Sequence, residues 1–443
     1  MSRPMKNSGL EWIEEIPEGW SVTQLGRIGK FSASGIDKKV NEKEVPVKII
    51  NYTDIYRNKT MIIDSTIDFM EVTCSLDKRE SHLVEVGDII FTPSSETIEE
   101  IGRSSVVYET VENLSFSYHV LKYHPLIEMN LSFKKYLCNN HFLYNYFSSK
   151  AVGTIRKTLN RQDFKLAPVL IPTIKEQQKI ADFLDEKTSQ IDSIIENTKQ
   201  SIIEFKKYKQ ALITETVTKG LNPDVKMKAS GIKWIGEIPE DWEITKFKYE
   251  IYTRGRLGWK GLTADEYVNE GKIFLATPNI KGSEIDFTNV NYITDERYQE
   301  SPEIMLSEGD VLLTKDGSTL GTVNVIRFLP KEATVNSSIA VLTPSENLHS
   351  LYLYNYIKSS YIQNLINRKK DGMGVPHLFQ KDIREFNLLL PEIQEQQQIA
   401  NYLDEKCTHI DSLIADKEQL IREFEDYKKA LIFEYVTGKK EVE

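Results

Sequence analysis

The sequence predicts an α+β fold of two tandem, pseudo-symmetric units, each a globular mixed α/β block followed by one long helix. Three observations predict it. The stretch PTIKEQQKIADFLDEKTSQID at 172–192 returns as PEIQEQQQIANYLDEKCTHID at 391–411. A second motif, SGLEWIEEIPEGW at 8–20, returns as SGIKWIGEIPEDW at 230–242. Between motif and helix, each copy carries a divergent block of about 150 residues, which is an ordinary size for one domain.

The first repeat predicts long helices over 172–220 and 391–439. Thr173 and Glu176 form a T-x-x-E capping box, which marks a helix start, and Gly220 marks an end. Apolar residues at heptad spacing form the expected seam of the two helices: Leu184, Ile191, Phe205 and Leu212, then Leu403, Ile410, Phe424 and Leu431. Such a stripe needs a partner, and the nearest one is the other copy. The two helices could pack parallel or antiparallel, and we predict an antiparallel coiled coil, which would give the chain a pseudo-two-fold axis. The alternative is a helical spacer with no further role.

These signals divide the chain into six segments: 1–20, a first block 21–171, the helix 172–220, a linker 221–242, a second block 243–390 and the helix 391–443. Within the blocks, VEVGDIIFTPSSE at 84–96 corresponds to LSEGDVLLTKDGS at 306–318. Each is a G-D turn that leads into an apolar strand and ends in small polar residues. The loop after such a strand is where recognition residues often lie.

The composition indicates a folded chain whose acidity is concentrated in one segment. The chain has 443 residues, 40% of them hydrophobic, and a formal net charge of −10. Segment 391–443 holds 7 Lys or Arg against 13 Asp or Glu, whereas the two blocks are nearly balanced. The overall acidity therefore weakens a nucleic-acid function without excluding it.

Several other classes of function lack their sequence motifs. No stretch approaches the roughly 18 apolar residues of a membrane helix, and the N-terminus has no apolar signal core. The three cysteines lie far apart, which favours a reduced, cytoplasmic location. The seven histidines lack ligand spacing, so we expect no metal site. We find no phosphate-loop motif, dinucleotide fingerprint or nucleophile–base–acid set, and so expect no catalytic residue in this chain.

Basic and polar residues cluster in loops at matching points of the two blocks. Such residues suit phosphates and base edges, which makes them candidates for contact with DNA. In the first block they are Lys38, Lys39, Arg57, Lys59, Ser94, Ser95, Arg103, Arg156, Lys157 and Arg161. In the second block they are Arg254, Arg256, Lys260, Lys315, Ser318, Arg368, Lys369, Lys370, His377, Gln380 and Lys381. Any one cluster fits a solvated surface better than a contact; recurrence in both copies makes the two interpretations about equal.

The helix positions retained in both copies include polar residues that a coiled-coil seam does not need. Their retention suggests a second protein that docks on the outside of the helices, once per copy. The candidates for this contact are Glu176, Gln177, Gln178, Asp185 and Glu186, with Glu395, Gln396, Gln397, Asp404 and Glu405.

Taken together, W-I-G-E-I-P-x-x-W, the G-D strand and P-x-I-x-E-Q-Q-x-I-A-x-x-L-D-x-K-x-x-x-I-D resemble the specificity subunit of Type I restriction–modification systems. The resemblance covers essentially the whole chain, in the family's order, twice. It implies that 21–171 and 243–390 are target recognition domains, each reading one half of a bipartite, asymmetric sequence in double-stranded DNA. It also implies that the paired helices set the length of the unread spacer.

The resemblance further implies the partners. Two modification subunits would dock through the helical region and carry the S-adenosylmethionine site for adenine methylation. Restriction subunits, which use ATP and Mg, would cut DNA in the full complex. This chain itself would carry no cofactor and would not be an enzyme.

Three other classes remain open. A coiled-coil adaptor with two protein-binding heads would show no sequence-dependent DNA binding. A DNA-mimicking inhibitor of restriction would fit the net acidity but needs acidic stripes, which the balanced blocks lack. A nuclease or methyltransferase in its own right would need the motifs that are missing.

Overall fold

The structure, a computed structural model, describes residues 3–255, 262–368 and 377–442. Contacts divide the chain into two compact units. Unit 1 comprises 1–198 and 419–443, and unit 2 comprises 199–418. Each unit therefore combines one divergent block with a part of each long helix. Four predicted DNA-contact residues lie outside the described residues: Arg256, Lys260, Lys369 and Lys370.

The first half of the chain alternates short strands and short helices before one long helix. The strands are β1 (Met5–Leu10), β2 (Ile13–Pro17), β3 (Ser21–Gln24), β4 (Gly29–Ser32), β5 (Val45–Ile50), β6 (Ile62–Ile63), β7 (Met70–Cys74), β8 (Ile89–Phe91), β9 (Ser94–Ser95), β10 (Ser104–Val107), β11 (Leu114–Phe116), β12 (Leu121–Pro125), β13 (Lys157–Thr158) and β14 (Pro168–Ile171). The helices are α1 (Leu25–Ile28), α2 (Tyr52–Tyr56), α3 (Leu76–Ser81), α4 (Leu131–Cys138), α5 (His141–Lys150), α6 (Arg161–Leu166) and α7 (Ile174–Lys219).

The second half repeats this plan. Its strands are β15 (Met227–Ala229), β16 (Glu237–Pro239), β17 (Glu243–Lys246), β18 (Ile251–Arg254), β19 (Lys272–Leu275), β20 (Asn291–Ile293), β21 (Val311–Thr314), β22 (Val323–Val325), β23 (Ala333–Val335), β24 (Ile339–Pro344) and β25 (Asn387–Leu390). Its helices are α8 (Phe247–Glu250), α9 (Asp295–Gln299), α10 (Ser350–Lys358), α11 (Ser360–Arg368), α12 (Gln380–Arg384) and α13 (Ile393–Val436), with short 3-10 turns at Ala264–Glu266, Thr277–Asn279 and Pro302–Ile304.

The two blocks share one sheet topology although their sequences differ. Unit 1 has a sheet of order β4-β12-β8-β10-β6 and a second sheet of order β11-β5-β7. Unit 2 has the orders β18-β24-β21-β22 and β20-β19-β23, which match those of unit 1 except that no strand of its described residues stands at the place of β6. The pair β11–β5 is parallel, as is its counterpart β19–β23, and the main sheets are antiparallel around β8 and β21. The repeated sequence motifs therefore enclose two copies of one fold.

The G-D turn before β8 and β21 is a structural feature. Gly87 and Gly309 have φ angles of 93° and 89°, in the left-handed region that favours glycine. The following Asp88 is fully buried and contacts His124 Nδ1 at 2.6 Å and Lys122 Nζ at 3.4 Å. Because a buried carboxylate needs a cation or hydrogen-bond donors, each G-D turn pins its strand to its neighbours in the sheet.

Each long helix contributes to the core of both units. In unit 1, Leu184 and Ile191 of α7 and Leu431 of α13 pack in one cluster with Trp20 and Phe91. In unit 2, Leu403 of α13 packs with Trp242 and Tyr352. Ile410 is also buried, and the remaining predicted seam residues are partly buried: Phe205, Leu212 and Phe424. The predicted apolar stripe therefore faces protein rather than solvent.

The helices contact each other in the same way inside each unit. In unit 1, Asp192 of α7 accepts from Lys428 Nζ of α13 at 2.6 Å. In unit 2, Lys209 Nζ of α7 donates to Asp411 of α13 at 2.5 Å. Because 192 aligns with 411 and 209 with 428 in the repeat, the two contacts are pseudo-symmetric equivalents.

Candidate nucleic-acid interface

Two loops that are distant in the sequence of unit 1 meet at a two-stranded pairing. Strand β13 pairs with β9, so Thr158 lies opposite Ser94. The backbones of Val152 and Thr158 bond in both directions, at 3.1 and 2.8 Å, and close residues 152–158 into a tight hairpin. Gly153, with a φ of 111°, makes the turn possible, because an added Cβ would lie 2.2 Å from the Arg156 carbonyl oxygen. The pairing brings predicted residues of both loops together.

Arg156 lies at the centre of this meeting point. Its Nε donates to Ser94 Oγ at 3.1 Å, and its guanidinium carbon lies 5.2 Å from the centre of the Tyr52 ring. Tyr52 in turn stacks on Tyr56, with ring centres 5.2 Å apart. A hydroxyl on one side and a ring on the other hold the guanidinium without neutralising its charge.

A second aromatic pair adjoins the basic residues. Tyr118 and His119 have ring centres 3.8 Å apart, and Tyr118 is half exposed. Burial, together with the nearby cations of Lys38 and Arg156, lowers the pKa of His119. The imidazole is therefore neutral at pH 7 and offers one donor and one acceptor nitrogen. The structure thus groups Lys38, Ser94 and Arg156 with aromatic side chains, a combination suited to nucleic acid.

Other predicted residues of unit 1 lie differently. Ser95 is buried and accepts from the Thr97 amide at 3.2 Å. Arg103 donates to Glu100 Oε1 at 3.4 Å and to the Asn58 carbonyl at 3.1 Å. Lys157 Nζ donates to the Gly153 carbonyl at 2.7 Å and braces the hairpin. Exposed cations, which solvent and a ligand can both reach, complete the set: Lys38, Lys39, Arg57, Lys59 and Arg161.

Unit 2 builds the equivalent meeting point with different residues. In the repeat, Asp316 aligns with Ser94 and His377 aligns with Thr158. The backbones of Asp316 and His377 form an antiparallel β-bridge, and their side chains hydrogen-bond to each other. The Leu378 amide donates to the Lys315 carbonyl at 2.8 Å. Lys381 Nζ lies 5.2 Å from the centre of the Phe379 ring. The same backbone frame therefore presents a different set of side chains in each unit.

Three further predicted contact residues of unit 2 pack against other parts of the protein. Arg254 Nη2 donates to the buried carboxylate of Asp310 at 2.7 Å, and the arginine side chain is only 11% exposed. The guanidinium carbon of Arg368 lies 4.3 Å from the centre of the Trp234 ring. Gln380 packs against Gly255, where an added Cβ would lie 2.0 Å from its Nε2. Ser318 is exposed.

The aromatic members of this interface are not among the residues predicted from the sequence. Tyr52 and Tyr56 stand four residues apart on α2, a spacing that places them on one helix face. That spacing, next to Arg57, was an available signal. Tyr118 and His119 carry no such signal, because only the fold brings them beside Lys38 and Arg156.

The start of each long helix is attached to its own block by the repeated polar residues. Trp20 Nε1 donates to Glu176 at 3.2 Å, and Trp242 Nε1 donates to Glu395 at 3.0 Å. The next residue, Gln177, is buried and accepts from the Asn130 amide at 2.9 Å. Its counterpart Gln396 is also buried and accepts from a backbone amide at 2.8 Å. The retention of these residues thus follows from contacts inside each unit.

The same holds about two turns further along each helix. Asp185 accepts from Lys135 Nζ at 2.6 Å, and Asp404 pairs with Arg327, so each aspartate ties its helix to a cation of its own block. The remaining candidates for partner contact are exposed or partly exposed: Gln178, Glu186, Gln397 and Glu405.

The described residues hold no cluster of three or more histidine, cysteine, aspartate or glutamate side chains arranged to bind a metal ion. None of the helices in the described part of the chain is long and apolar enough to cross a membrane.

A family model described as the Type I restriction modification DNA specificity domain matches residues 17–204 and 260–423. The chain belongs to this family. Both loop clusters, around Arg156 and around His377, fall inside the matched specificity-domain residues. The family's role is DNA specificity, which is recognition rather than catalysis.

Individual proteins that are similar to this chain are named as specificity subunits. A putative type I restriction enzyme MjaX specificity subunit from Methanocaldococcus jannaschii is 26% identical, over 96% of this chain and 95% of its own length. The EcoKI specificity subunit of Escherichia coli K12 is 23% identical, over 90% of this chain and 84% of its own length.

Solved structures agree on the fold. One, from work on complex assembly and conformational transition of the type I R-M system, has a TM-score of 0.70 at 15% identity and covers 96% of this chain and 99% of its own. The HsdS subunit of Thermoanaerobacter tengcongensis has a TM-score of 0.55 at 16% identity and covers 96% and 98%. The α+β fold of two tandem blocks with long helices is thus that of a specificity subunit.

Proposed function

We propose that this chain is the DNA-reading specificity subunit of a Type I restriction–modification complex. The observation that carries the proposal is the pairing of one repeated fold with two different loop clusters, one around Arg156 and Ser94 and one around His377 and Asp316. Two equal frames with unequal side chains suit a target whose two halves differ. Each unit would read one half of a bipartite, asymmetric site in double-stranded DNA.

The long helices would pair as an antiparallel coiled coil and set the length of the unread spacer. Supporting this are the equivalent ion pairs Asp192–Lys428 and Lys209–Asp411, one inside each unit. The proposed recognition domains are 21–171 and 243–390, joined by the helix 172–220, the linker 221–242 and the helix 391–443.

Two modification subunits would dock on the helices, one per copy. Gln177 and Gln396 are buried, and the acidic candidates Glu176, Glu395, Asp185 and Asp404 have partners inside their own units. We therefore propose the contact only for the remaining exposed or partly exposed residues: Gln178, Glu186, Gln397 and Glu405. S-adenosylmethionine would bind the modification subunits, and ATP and Mg the restriction subunits. This chain would act in the cytoplasm without a cofactor of its own.

Charge reversal tests the docking proposal. Glu186→Lys should remove one of two modification subunits, and Glu186→Lys with Glu405→Lys should remove both, because like charges then face the partner. Light scattering of the purified mixture gives the stoichiometry. Glu196→Lys, which reverses an exposed charge further along the same helix, is the matched control. Full stoichiometry in the double variant would contradict the docking site and leave the DNA-reading function untouched.

Long-read sequencing of methylated bases in the source genome, before and after deletion of this gene, tests the function. We expect one bipartite adenine-methylated motif that disappears on deletion and returns on complementation. An unchanged set of methylated motifs would contradict the proposal and favour an adaptor or an inhibitor. Binding of the purified chain to a modification subunit would then separate these two.

A further inference from the structure

We propose that the hairpin 152–158 enters the major groove and that Arg156 reads one guanine of the half-site recognised by unit 1. The inference rests on the proposed function and adds the element, the residue and the base. The backbone bonds between Val152 and Thr158 close the hairpin, and β13 fixes its base to β9. A narrow loop closed by one antiparallel bridge fits the major groove, which is about 12 Å wide.

The tip of the hairpin faces solvent. Ile155 is 92% exposed and Val152 is 66% exposed. Arg156 is exposed between Ile155 and the braced residue Lys157. A ligand therefore reaches the tip without displacing any part of the core.

Arg156 is held with its outer edge open. Its Nε is engaged by Ser94 Oγ at 3.1 Å and its plane lies near the Tyr52 ring. Within the described residues, Nη1 and Nη2 have no hydrogen-bond acceptor in the protein. These two nitrogens form the fork that binds O6 and N7 of guanine, the commonest specific contact in the major groove. Holding the side chain in advance reduces the entropy lost on binding.

The other arginines of the unit 1 candidate set differ from Arg156. Arg103 uses Nη1 on Glu100 and Nη2 on the Asn58 carbonyl, so its fork is occupied. Arg57 and Arg161 are exposed without a side-chain partner among the described residues. An unheld exposed cation suits a phosphate, whose contact is not specific to sequence. Among these arginines, Arg156 alone combines a fixed plane with an open fork.

The test compares Arg156→Lys with Arg161→Lys in the complex assembled with modification subunits. Both keep the positive charge and remove the planar guanidinium with its fork. Binding is measured on the duplex with the methylated motif and on duplexes that replace each base pair of both half-sites in turn, at several salt concentrations. The wild-type complex should discriminate about 10- to 100-fold at one G·C pair.

Arg156→Lys should abolish most of that discrimination at the one pair, in one half-site only, with the salt dependence unchanged. The methylated motif in cells should become degenerate at the same position. Arg161→Lys should leave every position unchanged. Arg156→Ala, with folding checked by circular dichroism, should behave like Arg156→Lys with weaker binding overall.

Three results would overturn the inference while leaving the proposed function standing. The first is an Arg156→Lys complex that keeps full discrimination, and the second is one that loses discrimination in both half-sites. The third is an Arg156→Ala complex whose affinity falls by the same factor for every duplex and whose salt slope is lower by about 1, which is the pattern of a phosphate contact. A wild-type complex that discriminates between no duplexes would instead refute the proposed function.

Discussion

The two units place the same glutamate on the same tryptophan in two different electrostatic settings. Glu176 receives hydrogen bonds from Trp20 and from Thr173 and forms an ion pair with Arg3. Glu395 receives the bond from Trp242, but Glu392 stands where unit 1 has the threonine. Duplication has preserved the packing of the junction, whereas the surrounding charges have changed.

The pKa values of the two carboxyls diverge accordingly. Burial raises the pKa of Glu176, but the hydrogen bonds from Thr173 and Trp20 outweigh it, and the pKa lies below its ordinary value. Burial raises the pKa of Glu395, and the bond from Trp242 does not offset it. The contact geometry of a repeated fold can therefore be kept while the pKa values of its carboxyl groups change.

The helix ends differ in a similar way. Gly220 ends α7 with a φ of 76°, and Gly438 follows α13 with a φ of 73°. A Cβ at position 220 would meet the flexible Glu395 carboxylate at 2.9 Å. At position 438 it would meet the rigid Pro17 ring at 2.5 Å. The junction in unit 1 is therefore the tighter of the two.

Substitution of the buried glutamine side chains should cause the largest losses of stability in the two units. Gln396→Leu leaves the amide of His349 and the carbonyls of Asn347 and Pro391 without a partner. Gln177→Leu leaves one amide and one carbonyl. We expect losses of about 3 and about 2 kcal/mol in unfolding free energy, since each orphaned group is costly. Chemical denaturation measures the loss, and hydrogen exchange resolved by unit locates it. Equal losses of unfolding free energy, or a larger loss for Gln177→Leu, would contradict the expectation that the cost follows the number of hydrogen bonds removed.

Gly438→Ala should destabilise unit 1 more than Gly220→Ala destabilises unit 2. The left-handed backbone costs an alanine about 1–2 kcal/mol at either position. The contact with Pro17 adds about 1 kcal/mol at position 438, because a ring moves less easily than a carboxylate. The denaturation midpoints of the two variants give the difference. An equal shift would show that the proline ring adapts.

The glutamates should respond oppositely to pH. A lowered folded pKa means that Glu176 contributes stability above its unfolded pKa and loses it as the pH falls through the folded value. A raised folded pKa means that Glu395 contributes stability below its unfolded pKa and loses it as the pH rises through the folded value. At pH 7, Glu176→Gln should cost about 1 kcal/mol, discounted for partial exposure, and Glu395→Gln should change stability by less than about 0.5 kcal/mol.

Unfolding of both variants at pH 4 and pH 7 checks this sign. The cost of Glu176→Gln should shrink at pH 4. A cost for Glu395→Gln that grows between pH 4 and pH 7 would contradict the raised pKa.

The interhelical ion pairs should have small effects that agree closely between the two units. Lys428→Ala and Lys209→Ala should each cost about 0.5 kcal/mol, because both aspartates are half exposed. Salt at about 1 M should remove most of the difference from wild type, since screening is then nearly complete. If hydrogen exchange showed a loss of stability for only one of the two variants, the two ion pairs would not be equivalent.

Much of the fold was predictable because its signals are local. The capping box is present, with the Thr173 amide donating to Glu176 at 3.2 Å and the Glu176 amide donating to Thr173 Oγ1 at 3.4 Å. The apolar stripe of the helices is buried or partly buried, as heptad spacing predicts. The domain limits and partner contacts remain predictions. The polar residues retained in both helices indicate partner contacts less clearly, because Gln177 and Asp185 already have partners inside unit 1.

The sequence by itself determined the repeat, the helix starts and ends, and the family, because these depend on residues that are neighbours along the chain. Only the tertiary structure decided which arginine has an open fork. Arg156 meets Ser94 across 62 positions, and Arg254 meets Asp310 across 56. Ser94 offers a hydroxyl, which leaves the charge of Arg156 available to a ligand. Asp310 offers a buried carboxylate, which neutralises the charge of Arg254. A sequence shows two basic residues in loops; only the folded chain supplies the partner that separates them.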